Sequence, residues 1–126
     1  VEDLMLIGKK IPFVDENSKM KYALKILDKK NLGILIVQNK KKTTIGIITD
    51  GQIRRFNRKN SNINEMIVRE IMTKNPYYID KNALAAKALS LMNAKKITSL
   101  CVYDEKNKFK TIGVLHIHNI LESNIS

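Results

Sequence analysis

Hydrophobic and polar positions follow one another in the same order twice along the chain. Each half shows a short apolar run, an amphipathic stretch at helical spacing, two apolar runs of strand length and a second amphipathic stretch. At a shift of 65 positions, residues 15–39 match residues 80–104, and with two further residues in the second loop Ile45-Gly46-Ile47 matches Ile112-Gly113-Val114. This internal repeat predicts two similar α/β units, each ordered β-α-β-β-α and related by a pseudo-two-fold axis, with any ligand sites paired near that axis.

In the first repeat the pattern predicts a short strand followed by a helix. Pro12 favours extended backbone over residues 11–14. Ser18 is expected to cap a helix that ends at residues 31–33. The elements expected next are strands at residues 34–37 and 44–48 and a helix from Asp50. The inward-facing helix residues are expected to be Met20, Ala23, Leu24, Leu27, Ile53 and Phe56.

A polar stretch at residues 57–64 is predicted to link the repeats, and residues 68–73 are predicted to be helical. In the second repeat, Asn82 is expected to cap the first helix. The strands expected there lie at residues 75–79, 99–102 and 111–115. The inward-facing helix residues are expected to be Leu84, Ala85, Ala88, Leu89, Met92, Ile117, Ile120 and Leu121.

Composition and charge narrow the class of protein. The net charge of +11 comes from lysines scattered through every segment, whereas a nucleic-acid surface more often clusters Arg and aromatic residues on one face, so nucleic acid is not predicted as a partner. The only cysteine, Cys101, lies in an apolar run and is expected in a core. No apolar stretch reaches the roughly 18–20 residues that a membrane span needs. The first residue is Val rather than Met, which indicates a piece of a longer protein.

These motifs resemble a known family. Each repeat resembles a cystathionine-β-synthase (CBS) domain, in which an "h-Gly-h-h-Ser/Thr-x-x-Asp" stretch precedes a helix. Residues 45–55, IGIITDGQIRR, are similar to the corresponding stretch of bacterial D-arabinose 5-phosphate isomerases, as are residues 71–76 and 113–118. The resemblance implies a tandem CBS pair, with CBS domains at 1–61 and 68–126.

The resemblance also implies a parent enzyme. In that family a catalytic sugar-isomerase (SIS) domain precedes the CBS pair, so the fragment itself is not expected to be an enzyme. The implied parent is a bacterial cytoplasmic isomerase that interconverts D-ribulose 5-phosphate and D-arabinose 5-phosphate for the Kdo sugar of lipopolysaccharide or capsule. The CBS pair would then be a regulatory module that binds an adenine nucleotide, a nucleotide sugar or a sugar phosphate between the repeats.

The family's ligand motif is altered in both copies. Gln52 and Asn119 stand where the Asp that accepts ribose hydroxyls is expected, and His116 replaces Ser/Thr, whereas Thr49 is retained. An amide offers a neutral acceptor and a donor, and charge-assisted hydrogen bonds are about twice as strong. The altered motif therefore favours an anion at a cationic cleft over the usual ribose contact. The candidate ligand-binding residues are Pro12, Thr49, Gln52, Arg54, Arg55, Pro76, Lys95, Lys96, His116 and Asn119.

Plainer interpretations stay open for these residues. Thr49 is equally suited to cap a helix, and the arginines and lysines to form solvated helix faces. The spacing of His116 and His118 resembles a metal-binding pair, but no third histidine exists, so no metal or other cofactor is predicted. No catalytic motif is evident. The competing hypothesis is a structural module that dimerises and assembles the isomerase, with vestigial clefts; a homodimer is expected in either case.

Overall fold

The computed structural model describes residues 1–59 and 62–123. It divides into two compact units. Pro12–Pro76 form the first-repeat unit, and Val1–Ile11 together with the chain from Tyr77 onward form the second-repeat unit. Residues 60 and 61, in the predicted linker and at the predicted end of the first domain, and residues 124–126, at the predicted end of the second, lie outside the described residues.

The first-repeat unit follows the predicted order of strand, helix, strand, strand and helix. Its elements are β1 (Phe13–Asp15), α1 (Met20–Lys30), β2 (Ile34–Gln38), β3 (Thr44–Thr49), α2 (Asp50–Lys59), a 3-10 helix (Ile63–Glu65) and α3 (Val68–Ile71). Among the described residues, β1, β2 and β3 form one sheet in that order, with β1 parallel and β3 antiparallel to β2. The short β1 therefore reaches its partner only through the α1 crossover.

The second-repeat unit repeats this topology. Its elements are a 3-10 helix (Gly8–Lys10), β4 (Tyr78–Asp80), α4 (Ala85–Lys95), β5 (Ser99–Tyr103), β6 (Gly113–His116) and α5 (Ile117–Ser123). Phe13 lies opposite Ile36 in the first sheet, and Tyr78 lies opposite Cys101 in the second. Both pairs differ by the 65 positions of the sequence repeat, so the predicted duplicated α/β architecture is confirmed.

Each unit has its own apolar core beneath one face of its sheet. Met20, Leu35 and Ile48 are fully buried in the first. Met92, Leu100 and Leu115 are fully buried in the second. Cys101 is 1% exposed, and burial raises the pKa of its thiol to about 12. The thiol is therefore neutral and packs as a small core residue, as predicted.

The predicted side-chain caps of α1 and α4 are wrong. The N-cap positions are Lys19 and Leu84, with extended backbone and no capping side-chain hydrogen bond. In the first-repeat unit, the carbonyl of Met66 accepts the first helical N–H of α1, from Met20, at 2.7 Å. A backbone carbonyl thus does what Ser18 was expected to do.

The predicted inward positions of two helix residues are wrong. Leu84 and Leu121 are 76% and 46% exposed, so neither faces inward. The predicted linker is also ordered where it is described, since α2 continues to Lys59 and Ile63 lies buried in a 3-10 helix. Ile63 packs with the first core, which gives this polar stretch an anchor that its composition does not indicate.

The segment that leads into each repeat pairs with the third strand of the other. We call residues 1–6 and 68–73 the leading segments. Thr73 and Ile47 exchange backbone hydrogen bonds of 2.8 and 3.0 Å, and Leu6 and Val114 do the same at 2.8 and 3.0 Å. The compact units therefore differ from the two repeats along the sequence, because each includes the leading segment of the other repeat. The predicted domain bounds, 1–61 and 68–126, stay a prediction.

Glycine in the third strand permits this close approach. A Cβ built on Gly46 would lie 2.8 Å from the carbonyl oxygen of Thr73 and 2.8 Å from the sulfur of Met72. Gly113 meets Met5 and Leu6 in the same way. Because a backbone atom blocks the Cβ, a side chain at either glycine would push the leading segment away.

Gly46→Ala is expected to destabilise the first-repeat unit by about 1–3 kcal/mol, the usual cost of overpacking. Gly51→Ala is the matched control. Its Cβ would meet the mobile guanidinium of Arg55 at 3.2 Å, and in helix α2 alanine is favoured over glycine by roughly 0.5–1 kcal/mol. Urea unfolding measures both; equal stability of Gly46→Ala and the wild type would contradict the packing described.

Candidate functional site

Helix α2 begins immediately after β3 with a reciprocal cap. The N–H of Thr49 donates to Oε1 of Gln52 at 2.9 Å, and the N–H of Gln52 donates to Oγ1 of Thr49 at 3.3 Å. This is a capping box, which satisfies two N–H groups that the helix geometry leaves without partners. Thr49 is therefore the N-cap of α2 in the structure, in agreement with the plainer of its two interpretations.

The other end of the Gln52 amide holds a leading segment. Its Nε2 donates to Oγ1 of Thr73 at 2.5 Å and, more weakly, to the carbonyl of Ile71 at 3.4 Å. A carboxylate at this position has no N–H to donate. Glutamine, in place of the aspartate that the resemblance implies, thus joins α2 to the leading segment of the second repeat.

Next to this amide, the first-repeat unit has a groove of about 510 Å³. We call it the α2 groove. Its lining residues are Gln52, Arg55, Phe56, Arg58 and Ile71. The guanidinium of Arg55 lies over the first turn of the helix, because a Cβ built on Gly51 would be 3.2 Å from its Nη1. Among the described residues, neither Arg55 nor Arg58 is paired with a carboxylate.

The groove joins positive charge to apolar surface. Phe56 and Ile71 are half-buried and pack against the first core, so their remaining surface is held in place. Guanidinium groups bind phosphate oxygens in bidentate geometry. The arrangement is therefore suited to a small phosphate-bearing molecule with an apolar or planar part.

The structure brings two of the predicted site residues, Gln52 and Arg55, into this groove. Arg54 is exposed and does not line it. Phe56, Arg58 and Ile71 were missed as site residues. Helical spacing from Gln52 could have indicated Phe56, whereas Ile71 reaches the groove only because of the leading-segment pairing.

In the second repeat, His116 and Asn119 form a related cap at α5. The N–H of His116 donates to Oδ1 of Asn119 at 2.9 Å, and the N–H of His118 donates to Nδ1 of His116 at 3.1 Å. His116 thus uses an imidazole nitrogen where the first repeat uses the Thr49 hydroxyl. Burial lowers the pKa of His116 below its ordinary 6.5, and the nearby His118 lowers it further.

Lys95 and Lys96 have local contacts at the end of α4. The ammonium of Lys95 lies 5.4 Å from the centre of the Tyr77 ring, a cation–π contact. Lys96 ends the helix in a left-handed conformation with φ 56°, and Asn31 does the same for α1 with φ 54°. Neither lysine lines the α2 groove. A role for them in ligand binding stays a prediction.

The two prolines, both buried, occupy unequal positions in the repeats. The carbonyl of Pro12 accepts the N–H of Ile36 at 2.9 Å, and the equivalent bond in the second sheet is accepted by Tyr77 rather than Pro76. Pro12 therefore helps to start the first sheet, and neither proline lines the α2 groove.

The described residues offer neither a metal-binding cluster nor a membrane-spanning helix. Within residues 1–59 and 62–123, no group of three or more His, Cys, Asp and Glu side chains could hold a metal ion. Over the same ranges, no helix has the length and apolar character that crossing a bilayer requires.

Comparison with known proteins places this geometry in context. A family profile described as the CBS domain matches residues 1–59 and 68–125. An uncharacterized protein of Rickettsia prowazekii is 38% identical over 130 residues, which cover 100% of this chain and 38% of that protein. Arabinose 5-phosphate isomerase KdsD of Salmonella typhi is 32% identical over 125 residues, which cover 99% of this chain and 37% of the enzyme. The chain thus spans little more than a third of the length of these curated relatives.

A solved structure shows the same fold. The crystal structure of CBSX2 in complex with AMP superposes with a TM-score of 0.80 and covers 97% of this chain and 92% of its own. Its sequence identity to this chain is 22%, so the comparison concerns the fold alone.

The stability of the protein is expected to fall as the pH drops below about 6.5, because unfolded His116 takes up a proton more readily than folded His116. The loss should continue until the pH passes the lowered pKa of the folded state. His116→Asn keeps a capping acceptor without a titrating ring, so its stability should change less as the pH falls below about 6.5. Urea unfolding at several pH values measures this. If the free energy of unfolding has the same pH dependence in the variant and the wild type, His116 is not the source of the loss of stability.

Proposed function

The chain belongs to the CBS-domain family, and we propose that it is the effector-binding CBS pair of an arabinose 5-phosphate isomerase. The similarity to KdsD runs along 99% of the chain, whereas this chain covers 37% of that enzyme. In this proposal the remainder of the parent protein includes a catalytic SIS domain, which interconverts D-ribulose 5-phosphate and D-arabinose 5-phosphate for Kdo synthesis. The parent enzyme would then be cytoplasmic.

The α2 groove is the observation that supports effector binding. Its volume of about 510 Å³ is within the roughly 300–1,000 Å³ of small-molecule sites. Arg55 and Arg58 supply positive charge, and Phe56 supplies an apolar wall. An adenine nucleotide, a nucleotide sugar or a sugar phosphate has the phosphate that this lining suits. The AMP in the CBSX2 complex is one precedent in the same fold.

Regulation follows from the same site. An effector changes activity only if it binds one conformational state of the parent enzyme more tightly than another. The groove includes Ile71 from the leading segment of the second repeat, and Gln52 is hydrogen-bonded to that segment. A ligand there would contact both α2 and this segment, and it would therefore bias their packing.

An assembly module is the second candidate function. Leu84 and Leu121 expose apolar surface on the second-repeat unit, and the amides that replace the family's aspartate are used in helix caps. Sedimentation velocity tests this function. Assembly would be favoured over regulation by two results together: the chain is a dimer that binds no phosphate compound, and the double variant Leu84→Asp, Leu121→Asp is a monomer.

Calorimetry of the 126-residue chain with AMP, ATP, CMP-Kdo, D-arabinose 5-phosphate and D-ribulose 5-phosphate tests the effector proposal. At least one compound is expected to give binding heat and to raise the melting temperature, since a ligand that binds only the folded state stabilises it. D-Arabinose without phosphate is the control and should do neither. The absence of heat and of a melting shift with all five compounds would overturn effector binding.

A further inference from the structure

We infer that the phosphate-bearing ligand binds to the first repeat alone, one molecule per chain, with its phosphate against Arg55 and Arg58. The sequence pattern predicts twin sites, whereas the residues at the α2 groove and their counterparts at α5 differ in charge. This inference rests on the proposed function and concerns which half of the duplicated fold performs it.

The two repeats can be aligned closely at this point. Beyond the third strand the shift is 67 positions, because Thr49 and Gln52 make the same backbone-to-amide hydrogen bond as His116 and Asn119. The leading segments obey the same shift, with Ile47 paired to Thr73 and Val114 paired to Leu6. Counterparts of the groove residues can therefore be assigned one by one.

The residues of the second repeat that align with the α2 groove do not carry the positive charge of its arginines. Arg55 corresponds to Glu122, an exposed carboxylate, and Phe56 corresponds to Ser123, whose hydroxyl donates to the carbonyl of Ile120 at 2.7 Å. The position that matches Arg58 is residue 125, outside the described residues. A carboxylate in place of a guanidinium repels a phosphate, so the second repeat is unsuited to the anion that the first attracts.

The leading segments differ as well. Gln52 reaches Oγ1 of Thr73, but Leu6 stands at the equivalent place in the second repeat and has no side-chain acceptor. The side chain of Asn119 is also one methylene shorter than that of Gln52. The first repeat thus has both the cationic groove and a polar tether at its edge, whereas the described counterparts in the second are Glu122, Ser123 and Leu6.

Matched arginine variants test this assignment. Arg54 is one position from Arg55 on the same helix, has the same charge and is likewise exposed, but it does not line the groove. Successive helical residues are about 100° apart, so Arg54 projects roughly 200° around α2 from Gln52. Arg54→Gln therefore changes net charge without changing the groove.

The experiment is calorimetry of the 126-residue chain with AMP and, separately, with inorganic pyrophosphate, together with NMR of arginine side-chain Nε–H signals. The expected stoichiometry is one ligand per chain. Arg55→Gln combined with Arg58→Gln should weaken binding by about tenfold or more, as expected for the loss of charged hydrogen bonds. Arg54→Gln should change affinity by about twofold at most. Glu122→Gln should keep the stoichiometry at one ligand per chain. Pyrophosphate should shift the signals of Arg55 and Arg58 more than that of Arg54.

The outcomes separate the two proposals. Two equivalent binding sites, or an equal loss of affinity in Arg54→Gln and in the Arg55→Gln, Arg58→Gln double variant, would overturn the single-site assignment. Either result would leave effector binding in place. Pyrophosphate shifts confined to Arg55 and Arg58, with no organic phosphate bound, would support the anion site and oppose the proposed effectors. No arginine shift with pyrophosphate would overturn the assignment, and circular dichroism and melting curves establish that each variant is folded.

Discussion

Backbone pairing between each leading segment and the third strand of the other repeat is the constraint on which this fold depends. The bonds between Thr73 and Ile47, and between Leu6 and Val114, cover the edge strands β3 and β6. An uncovered edge would present unpaired N–H and C=O groups. Because residues 1–6 pair with β6, the second-repeat unit joins Val1–Ile11 to the chain from Tyr77 onward and is not a continuous stretch of sequence. Glycine at position 46 makes this pairing sterically possible in the first repeat.

The same pairing allows the two halves to differ in chemistry while they share a fold. Both halves keep the glycine, the strand register and an amide that caps the closing helix. In the first half, Gln52 is long enough to cap α2 and also to reach Thr73, so the leading segment becomes one wall of a groove. The arginines that follow give this groove its charge. In the second half, Asn119 performs the capping role, and Glu122 brings the opposite charge. The two halves therefore share their backbone geometry and differ in charge at a few surface positions.

Much of the fold could be predicted from the sequence, because the repeat and the burial of apolar strands are encoded locally. The strands, the core position of Cys101 and the β-α-β-β-α order required no knowledge of distant contacts. The helix caps could not be predicted in the same way. Ser18 had the right chemistry, but a backbone carbonyl from Met66, distant in sequence, occupies that role. Periodicity predicts that Leu84 faces inward, yet it lies at the N-cap of α4, where the backbone is extended. The groove was predicted only in part, since one of its walls comes from a segment whose pairing leaves no periodic signal.

Amide hydrogen exchange in the wild type and in Gly46→Ala tests the leading-segment pairing most directly. The substitution is expected to speed exchange at Ile47 and Thr73 together, because they share one pair of hydrogen bonds, while Leu6 and Val114 keep their protection. Unchanged protection at Thr73, or an equal loss at Leu6 and Val114, would contradict the pairing of each leading segment with the other repeat.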